Sequence, residues 1–241
     1  MNKKKFLIVK TSAIGDVLQT FGVVEYLREK FPDASIDWVV EKRIESLLTA
    51  HSHINRVIAV DSIFLKKNWF NRRGWQTFLT FKKELQLESY DEVFDLQGNT
   101  KSGVITFLAK GDKKIGFGRK SVAEFPNLWA TSSHFDVSDS LSIYQKYLRL
   151  IQLYFGDNHH FSPQEIVLGR GSQKRAHLEP SFIMVAWGSN WENKKIALKT
   201  LENLLTKIEQ SYSYPFLFIC GNAKEKEEAE YLHARFSQST I

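Results

Sequence analysis

The fold of this chain is decided by the stretch Phe6-Leu-Ile-Val-Lys-Thr-Ser-Ala-Ile-Gly-Asp-Val-Leu-Gln-Thr20. Its first four residues, Phe6 to Val9, are all large or β-branched and apolar, which predicts a fully buried β-strand. Small and polar residues follow, and from Val17 onward apolar residues recur at helical spacing. In α/β proteins a turn of this kind lies at the carboxyl edge of the sheet, where ligands bind. Backbone N–H groups at the start of the helix then point toward the ligand.

The remainder of the chain continues to alternate between strand-like and helical patterns. Further strands are predicted at 36–40, 57–60, 92–96 and 114–117, and helices at 44–50, 75–87, 100–109 and 141–155. Such alternation predicts a doubly wound parallel sheet of the α/β class. A second βαβα unit is predicted at 182–187, 198–209, 216–220 and 224–236. We therefore expect a Rossmann-like N-terminal domain at 1–155, a linker at 156–180 and an incomplete second Rossmann-like domain at 181–241.

Composition narrows the class of protein. The 241 residues are 43% hydrophobic and 13% aromatic, which is typical of a packed globular core and excludes a disordered chain. No apolar run approaches the roughly 18 residues of a membrane-spanning helix, and the basic start leads into an apolar strand too short for the core of a signal peptide. Cys220 is the single cysteine, so no intrachain disulfide is expected and a cytoplasmic setting is favoured.

The charge of the chain is unevenly distributed. Residues 1–150 carry 23 Lys and Arg against 17 Asp and Glu, whereas residues 151–241 carry 10 of each, so the first part holds the whole excess of +6. An anionic partner would explain the excess, such as a phosphorylated glycolipid, a membrane surface or a nucleic acid, and scattered solvated lysines would explain it equally. No nucleic-acid-binding motif is present, so no nucleic acid partner is expected.

Familiar catalytic and metal-binding motifs are missing from the sequence. It contains no HExxH, GxSxG or P-loop pattern, and the incomplete GxGxxG at 116–121 does not follow the first strand. His159 and His160 lie in a polar stretch without Cys or acidic residues at ligand spacing. We therefore expect no metal site.

Asp16 stands at the start of the first predicted helix and has two interpretations. As a helix cap it would stabilise the helix by about 0.5–2 kcal/mol. As a carboxylate at the ligand-binding edge of the sheet it would act as a general base toward a substrate hydroxyl. The spacing of the residues leaves both roles open.

The stretch Val9–Thr20 resembles the N-terminal signature of the family 9 glycosyltransferases, in particular its heptosyltransferases. Later segments continue the resemblance in order: 36–41, 56–60, 90–98 and 101–102. It implies a GT-B-like fold and inverting transfer of heptose from ADP-heptose to the Kdo of a lipid A precursor, in lipopolysaccharide inner-core biosynthesis. The implied place is the cytoplasm, peripheral to the inner membrane, with that membrane surface as a partner. No cofactor is implied beside the nucleotide-sugar donor.

The resemblance also assigns roles to individual residues. It makes Asp16 the catalytic base, favouring catalysis over capping alone. It places the acceptor against Thr11, Ser12, Gly15, Lys66, Lys67, Gln97, Lys101 and Glu124, and the donor against Ser189, Asn190 and Lys194. A lysine at the donor would neutralise charge on the leaving diphosphate without a metal.

The sequence departs from the family pattern at several positions. Ile63, Phe64 and Ala123 stand where arginines are expected, and Lys146 alone keeps the chemistry of a later His-x-x-acid-Arg pattern. Ile196-Ala197 replaces a Trp-Pro pair, and the Asp-Thr-Gly-x-x-His segment of the donor site is missing. These departures leave an alternative function open, a shortened, non-catalytic remnant that binds an anionic glycolipid, and they leave open that the chain is a fragment of a longer protein.

Overall fold

The computed structural model describes residues 3–159, 161, 181–189, 193, 195–236 and 238–240. The chain divides into two compact units, Met1–Gly171 and Ser172–Ile241. Within the described part, no helix is long and apolar enough to cross a lipid bilayer. The predicted linker at 156–180 falls mostly outside the described residues and stays a prediction.

The first unit is built on a six-stranded parallel sheet in the order β3-β2-β1-β4-β5-β6. The strands are β1 Lys5–Val9, β2 Ser35–Glu41, β3 Arg56–Val60, β4 Tyr90–Asp95, β5 Gly111–Phe117 and β6 Ser133–Phe135. The order reverses between β1 and β4, which leaves a crevice beyond the carboxyl ends of these two strands, as in Rossmann folds. The predicted doubly wound α/β fold is confirmed.

Helices connect and cover the strands of this sheet. They are α1 Ile14–Lys30, α2 Glu45–Thr49, α3 Ser62–Asn68, α4 Arg72–Leu85, α5 Thr100–Leu108 and α6 Ile143–Phe155, with 3₁₀ turns at Lys42–Ile44 and Phe125–Ala130. Strand β1 shows why the sheet is stable. Phe6 and Ile8 enter the core on one face and Leu7 and Val9 the core on the other, all with no exposed surface. A parallel strand buried on both faces needs such an unbroken apolar run.

The second unit holds a three-stranded parallel sheet in the order β7-β8-β9. Its elements are β7 Ile183–Val185, α7 Leu198–Ser211, β8 Phe216–Phe218, α8 Ala223–Arg235 and β9 Ser239–Thr240. A separate apolar core forms between its sheet and helices, centred on Phe216, Phe218, Leu201 and Leu232.

The structure adds elements that the sequence patterns did not indicate. Helix α3, strand β6 and strand β9 were not predicted, and α4 begins three residues before its predicted start at Trp75. Strands β6 and β9 are only three and two residues long, and α3 buries none of its residues, so none of them carries a recognisable apolar pattern. Helix α4 starts early because the side chain of Asn71 accepts a hydrogen bond from the backbone N–H of Gly74 at 2.9 Å.

Candidate active site

The turn between β1 and α1 places Asp16 at the carboxyl edge of the sheet. The Asp16 carboxylate accepts a hydrogen bond from the backbone N–H of Ala13 at 3.4 Å, so it caps the start of α1. Its side chain is nevertheless 32% exposed, which leaves the carboxylate accessible to a ligand in the crevice. Capping and reaction with a substrate are therefore compatible in this geometry. The Ser12–Ala13 peptide bond in the same turn is cis.

Lys10, directly after β1, is a functional candidate that the sequence patterns did not reveal. Its side chain is buried, and its ammonium lies 3.6 Å from the Asp16 carboxylate and 4.7 Å from the ring centre of Tyr147. Burial lowers the pKa of Lys10 below its ordinary value, while the charges of Asp16 and Asp95 act in the opposite direction. A lysine at the end of an apolar strand was the available signal, but its partner Tyr147 lies far along the chain.

Tyr147 is a residue of α6 whose ring lies beside Lys10, next to the β1–α1 turn. Burial raises the pKa of the Tyr147 phenol well above its ordinary value, and the charge of Asp16 raises it further. The ring therefore stays neutral and presents its face to the Lys10 ammonium, which is the favourable cation–π arrangement.

Gln97, which follows β4, holds the β1–α1 turn in place. Its side-chain oxygen accepts hydrogen bonds from the backbone N–H groups of Thr11 at 3.2 Å and Ser12 at 3.1 Å, and from the Thr11 hydroxyl at 3.4 Å. Three residues that the family resemblance assigns to the acceptor are thus brought together. Because these bonds occupy the Gln97 oxygen, Gln97 shapes the turn from within the protein.

The loop that carries Gln97 is itself fixed by a buried carboxylate, Asp95. Asp95 accepts hydrogen bonds from the backbone N–H groups of Gln97 and Gly98, from the Thr106 hydroxyl and from the Asn127 amide at 2.6 to 3.1 Å. Burial raises the pKa of the Asp95 carboxyl, and the hydrogen bonds oppose that rise. Gly98 has a φ of 71°, a conformation that glycine adopts without a steric penalty.

A second polar cluster joins β2, α3 and α5. The buried Glu41 carboxylate accepts hydrogen bonds from the Lys101 ammonium at 2.7 Å, from the backbone N–H of Ser62 at 3.3 Å and from the Ser62 hydroxyl. Lys101 was predicted to bind the acceptor, and the structure pairs it with Glu41 while leaving part of its side chain exposed. Glu41 lies in the segment 36–41 that continues the family resemblance, but no role was assigned to it, and Ser62 lies outside the segments of that resemblance.

Three further residues predicted to bind the acceptor differ in their environments: Glu124 is hydrogen-bonded, whereas Lys66 and Lys67 lie on an exposed helix. The Glu124 carboxylate accepts hydrogen bonds from the backbone N–H of Thr100, at 2.9 Å, and from the Thr100 hydroxyl, which lowers the pKa of Glu124. Lys66 and Lys67 lie exposed on the last turn of α3 and make no ion pair or hydrogen bond with the residues that the structure describes. Their predicted roles toward the acceptor stay predictions.

The predicted donor residues are only partly described. Ser189 follows Trp187, whose indole N–H donates to the Glu228 carboxylate at 2.9 Å. Asn190 and Lys194 lie outside the described residues.

Gly15 is exposed, with open space where a Cβ would lie. Among the residues in the described ranges, no three His, Cys, Asp or Glu side chains converge as metal ligands do.

The Rossmann order of the first sheet, the second parallel α/β unit and a polar site at the carboxyl edge define a GT-B-like α/β protein. The model of the family described as glycosyltransferase family 9 (heptosyltransferase) matches residues 78–241, more than half of the chain. The chain belongs to this family, and the resemblance inferred from the sequence is confirmed.

Curated relatives point to the same group of proteins. Lipopolysaccharide heptosyltransferase 1 of Escherichia coli K12 is 38% identical over 110 residues, which cover 45% of this chain and 34% of that protein. The protein of the same name from Campylobacter coli is 25% identical over 242 residues, covering 94% of this chain and 67% of that protein. The chain thus matches about a third of the length of the first relative and two thirds of the second.

Solved structures agree on the fold. E. coli heptosyltransferase WaaC, solved with ADP-2-deoxy-2-fluoro heptose, superimposes with a TM-score of 0.85 at 23% identity, covering 98% of this chain and 75% of that one. E. coli ADP-heptose LPS heptosyltransferase II gives a TM-score of 0.67 at 15% identity, over 98% of this chain and 71% of that one.

Proposed function

We propose that this protein is an inverting glycosyltransferase that moves heptose from ADP-heptose to the Kdo sugar of a lipid A precursor in lipopolysaccharide inner-core biosynthesis. The observation that carries the proposal is the accessible Asp16 carboxylate at the point where the strand order reverses, paired with the buried Lys10. Relatives named lipopolysaccharide heptosyltransferase 1 support the reaction class. A similar fold solved with ADP and with a fluorinated ADP-heptose supports the donor.

In the proposed reaction Asp16 acts as the general base. Its carboxylate accepts the proton of an acceptor hydroxyl while the hydroxyl oxygen forms a bond to the anomeric carbon of the heptose. The bond from that carbon to the diphosphate breaks, ADP leaves with the electron pair, and attack from the opposite side inverts the configuration. A positioned base of this kind contributes about 10²–10⁴-fold in rate.

The remaining side chains have supporting roles in the proposal. The Lys10 ammonium places a positive charge 3.6 Å from the Asp16 base, and Gln97 holds the Thr11–Ser12 backbone beside the acceptor. Lys66, Lys67, Lys101 and Glu124 contact the acceptor. Ser189, Asn190 and Lys194 meet the donor phosphates, where the lysine offsets charge on the leaving group.

The test is replacement of the base by its amide in Asp16→Asn. ADP release and the mass of the acceptor are followed with ADP-heptose and a Kdo-bearing lipid A precursor. We expect turnover to fall by about 10²–10⁴-fold, with calorimetric affinity for ADP-heptose unchanged. Asp33→Asn, an exposed carboxylate elsewhere on the first unit, is the matched control. Unchanged turnover in Asp16→Asn would show that Asp16 is not the base, and a product with retained configuration would exclude the inverting mechanism.

A further inference from the structure

A pocket of about 470 Å³ lies at the carboxyl ends of β5 and β6, and the residues that line it differ from those around Asp16. Gly118 and Arg119 follow β5, Asp136 follows β6, and Phe125 and Trp129 belong to the 3₁₀ turn between these strands. We call it the β5–β6 pocket. Open α/β sheets bind ligands beyond the carboxyl ends of their strands, and a pocket of this size admits a small molecule.

Hydrogen bonds fix the walls of the β5–β6 pocket. The backbone N–H of Gly118 donates to the Phe135 carbonyl at 2.8 Å, and the Asp136 carboxylate accepts from the backbone N–H of Lys120 at 2.8 Å. A Cβ at Gly118 would lie 2.3 Å from that carboxylate, so glycine allows the two loops to approach this closely. Because the walls are held by the protein itself, the pocket is formed before a ligand binds, which lowers the entropy cost of binding.

The 3₁₀ turn of the pocket is anchored in the interior of the first unit. The amide of Asn127, which has no exposed surface, donates to the Asp95 carboxylate at 2.6 Å and to the Asn99 carbonyl at 3.0 Å. Phe125 and Trp129 lie two residues to either side of this anchor, and they are 52% and 81% exposed. Two exposed aromatic side chains on a fixed turn favour a ligand that covers them.

Arg119 supplies a cation to the pocket. Its guanidinium lies 5.2 Å from the ring centre of Phe125, in a cation–π arrangement. Within the described ranges, no carboxylate pairs with Arg119 and no acceptor occupies its N–H groups. The fork of N–H groups therefore stays available, and its geometry matches the two oxygens of a carboxylate.

The same pocket offers groups that bind hydroxyls. One oxygen of the Asp136 carboxylate accepts from Lys120, and the other meets no donor in the part of the chain that the structure describes. Nε2 of His134 donates to the Leu128 carbonyl at 3.0 Å, so its Nδ1 faces away from that bond. Aromatic faces with a few polar groups are typical of small-molecule sites.

These features together fit a pyranose that carries a carboxylate. The C–H groups on one side of a pyranose ring pack on the electron-rich face of an aromatic side chain. We propose that the β5–β6 pocket binds a sugar acid, with its ring on Trp129, its carboxylate on the Arg119 guanidinium and its hydroxyls at Asp136.

The β5–β6 pocket is separate from the site of the proposed reaction. In the sheet, β5 and β6 lie two and three strands from β1, which precedes the turn that carries Asp16. At the usual strand spacing this is about 10–14 Å. A sugar acid in the pocket is therefore not the sugar whose hydroxyl reacts at Asp16, and its binding is independent of the proposed transferase reaction.

The ligand class is tested by NMR titration with methyl β-D-glucuronide. Methyl β-D-glucoside, which has the ring without the carboxylate, is expected to bind about tenfold more weakly, since a charge-assisted hydrogen-bond pair is lost. Acetate, which has the carboxylate without the ring, is expected not to bind. Equal affinities for glucuronide and glucoside would overturn the carboxylate, and acetate binding as tight as that of glucuronide would overturn the sugar.

The site is tested by two substitutions with matched controls. Arg119→Gln is expected to weaken glucuronide binding about 10–100-fold and Trp129→Ala about tenfold. Arg43→Gln and Phe107→Ala remove an arginine and a ring that are exposed elsewhere on the first unit, and both are expected to bind like the wild type. Glucuronide binding that is the same in each variant and its control would overturn the proposal.

A signal from the unsubstituted protein covers the case in which a variant fails to fold. The six tryptophans are replaced by 5-fluorotryptophan, and the fluorine resonance that is missing in Trp129→Phe is assigned to Trp129. Glucuronide is expected to shift this resonance and to leave that of Trp69, assigned in the same way, unchanged. A Trp129 resonance that does not move at saturating glucuronide would overturn the proposal.

Two sources of the sugar acid are separated by competition and kinetics. If it is a unit of the acceptor, glucuronide competes with the acceptor, and Trp129→Ala raises the acceptor KM at unchanged kcat. If it is a free sugar acid, glucuronide binds equally well beside saturating acceptor, and the acceptor KM is unchanged in Trp129→Ala. Asp16→Asn is expected to bind glucuronide like the wild type, so failure of the transferase proposal and failure of this site are distinguished.

Discussion

The Lys10 ammonium and the Asp16 carboxylate lie 3.6 Å apart, with the lysine buried inside the first unit and the aspartate reaching solvent. The pair places a buried cation beside the carboxylate that we propose as the general base. The pair therefore has one member in the buried interior of the first unit and the other at the carboxyl edge of its sheet.

Replacing Lys10 by methionine is expected to separate activity from stability. The neutral side chain removes the charge beside Asp16, and we expect turnover to fall about tenfold, or about 1.4 kcal/mol of transition-state stabilisation. The midpoint of thermal unfolding is expected to stay the same or rise, since a buried ammonium is costly to desolvate. Initial rates and thermal melts measure the two effects.

The matched control for Lys10 is Lys4→Met, whose ammonium also pairs with a carboxylate, that of Glu92 at 3.2 Å. Lys4→Met is expected to leave turnover unchanged. A Lys10→Met chain with wild-type turnover and a much lower melting temperature would show that Lys10 is only structural.

Gln97→Ala is expected to loosen the β1–α1 turn. The backbone N–H groups of Thr11 and Ser12 would lose their acceptor, which costs about 1–3 kcal/mol of unfolding free energy when such groups are left unpaired. Because the turn carries the site, we also expect a lower turnover and faster amide exchange at both positions. Denaturant unfolding, kinetics and hydrogen exchange measure these effects.

Gln86→Ala serves as the control for Gln97→Ala, because the Gln86 amide donates to the Leu108 carbonyl at 2.7 Å, away from the turn. It is expected to lower stability without changing turnover. Equal turnover in the two glutamine variants would contradict a positioning role for Gln97.

Glu124→Gln is expected to change how stability depends on pH. Hydrogen bonds from Thr100 lower the pKa of Glu124 in the folded protein below its ordinary value of 4.5. The ionised carboxylate therefore contributes stability above pH 4.5, and the contribution is lost as the pH falls through the folded-state pKa. Wild type and variant are expected to differ at neutral pH and to converge in acid, as measured by denaturant unfolding across pH.

Glu227→Gln, on an exposed position of α8, is the control for Glu124→Gln. It is expected to differ from the wild type by the same small amount at every pH. A Glu124→Gln difference that stays constant from neutral to acid pH would exclude the hydrogen-bonded carboxylate as its cause.

The Glu41–Lys101 pair allows the structural and functional roles of Lys101 to be separated. Lys101→Met leaves the buried Glu41 carboxylate without its cation and is expected to lower the unfolding free energy by about 1–3 kcal/mol. Adding Glu41→Gln is expected to recover part of that loss, with a coupling energy of about 0.5–3 kcal/mol in a double-mutant cycle.

The double variant Glu41→Gln/Lys101→Met then tests the acceptor role. If Lys101 contacts the acceptor, the KM for acceptor rises in this variant while the affinity for donor is unchanged. An unchanged acceptor KM in a stably folded double variant would show that Lys101 does not contact the acceptor and that its role is structural.

The sequence by itself determined the α/β class, the leading strand and turn, and the position of Asp16. These features are local: apolar runs and helical spacing reflect which faces of a strand or helix are buried, within a few residues of chain. The order of the elements therefore predicted the doubly wound sheet. Short elements without a buried face, such as α3 and β6, carried no such pattern and were missed.

Only the tertiary structure decided which side chains meet. The Gln97 oxygen reaches Thr11 across 86 positions of sequence, and Tyr147 reaches Lys10 only because α6 packs on α1. Such contacts depend on the order of strands in the sheet, which no local periodicity encodes. The pairing of Lys101 with Glu41 has the same physical origin, because it joins residues from two different elements of the assembled layers.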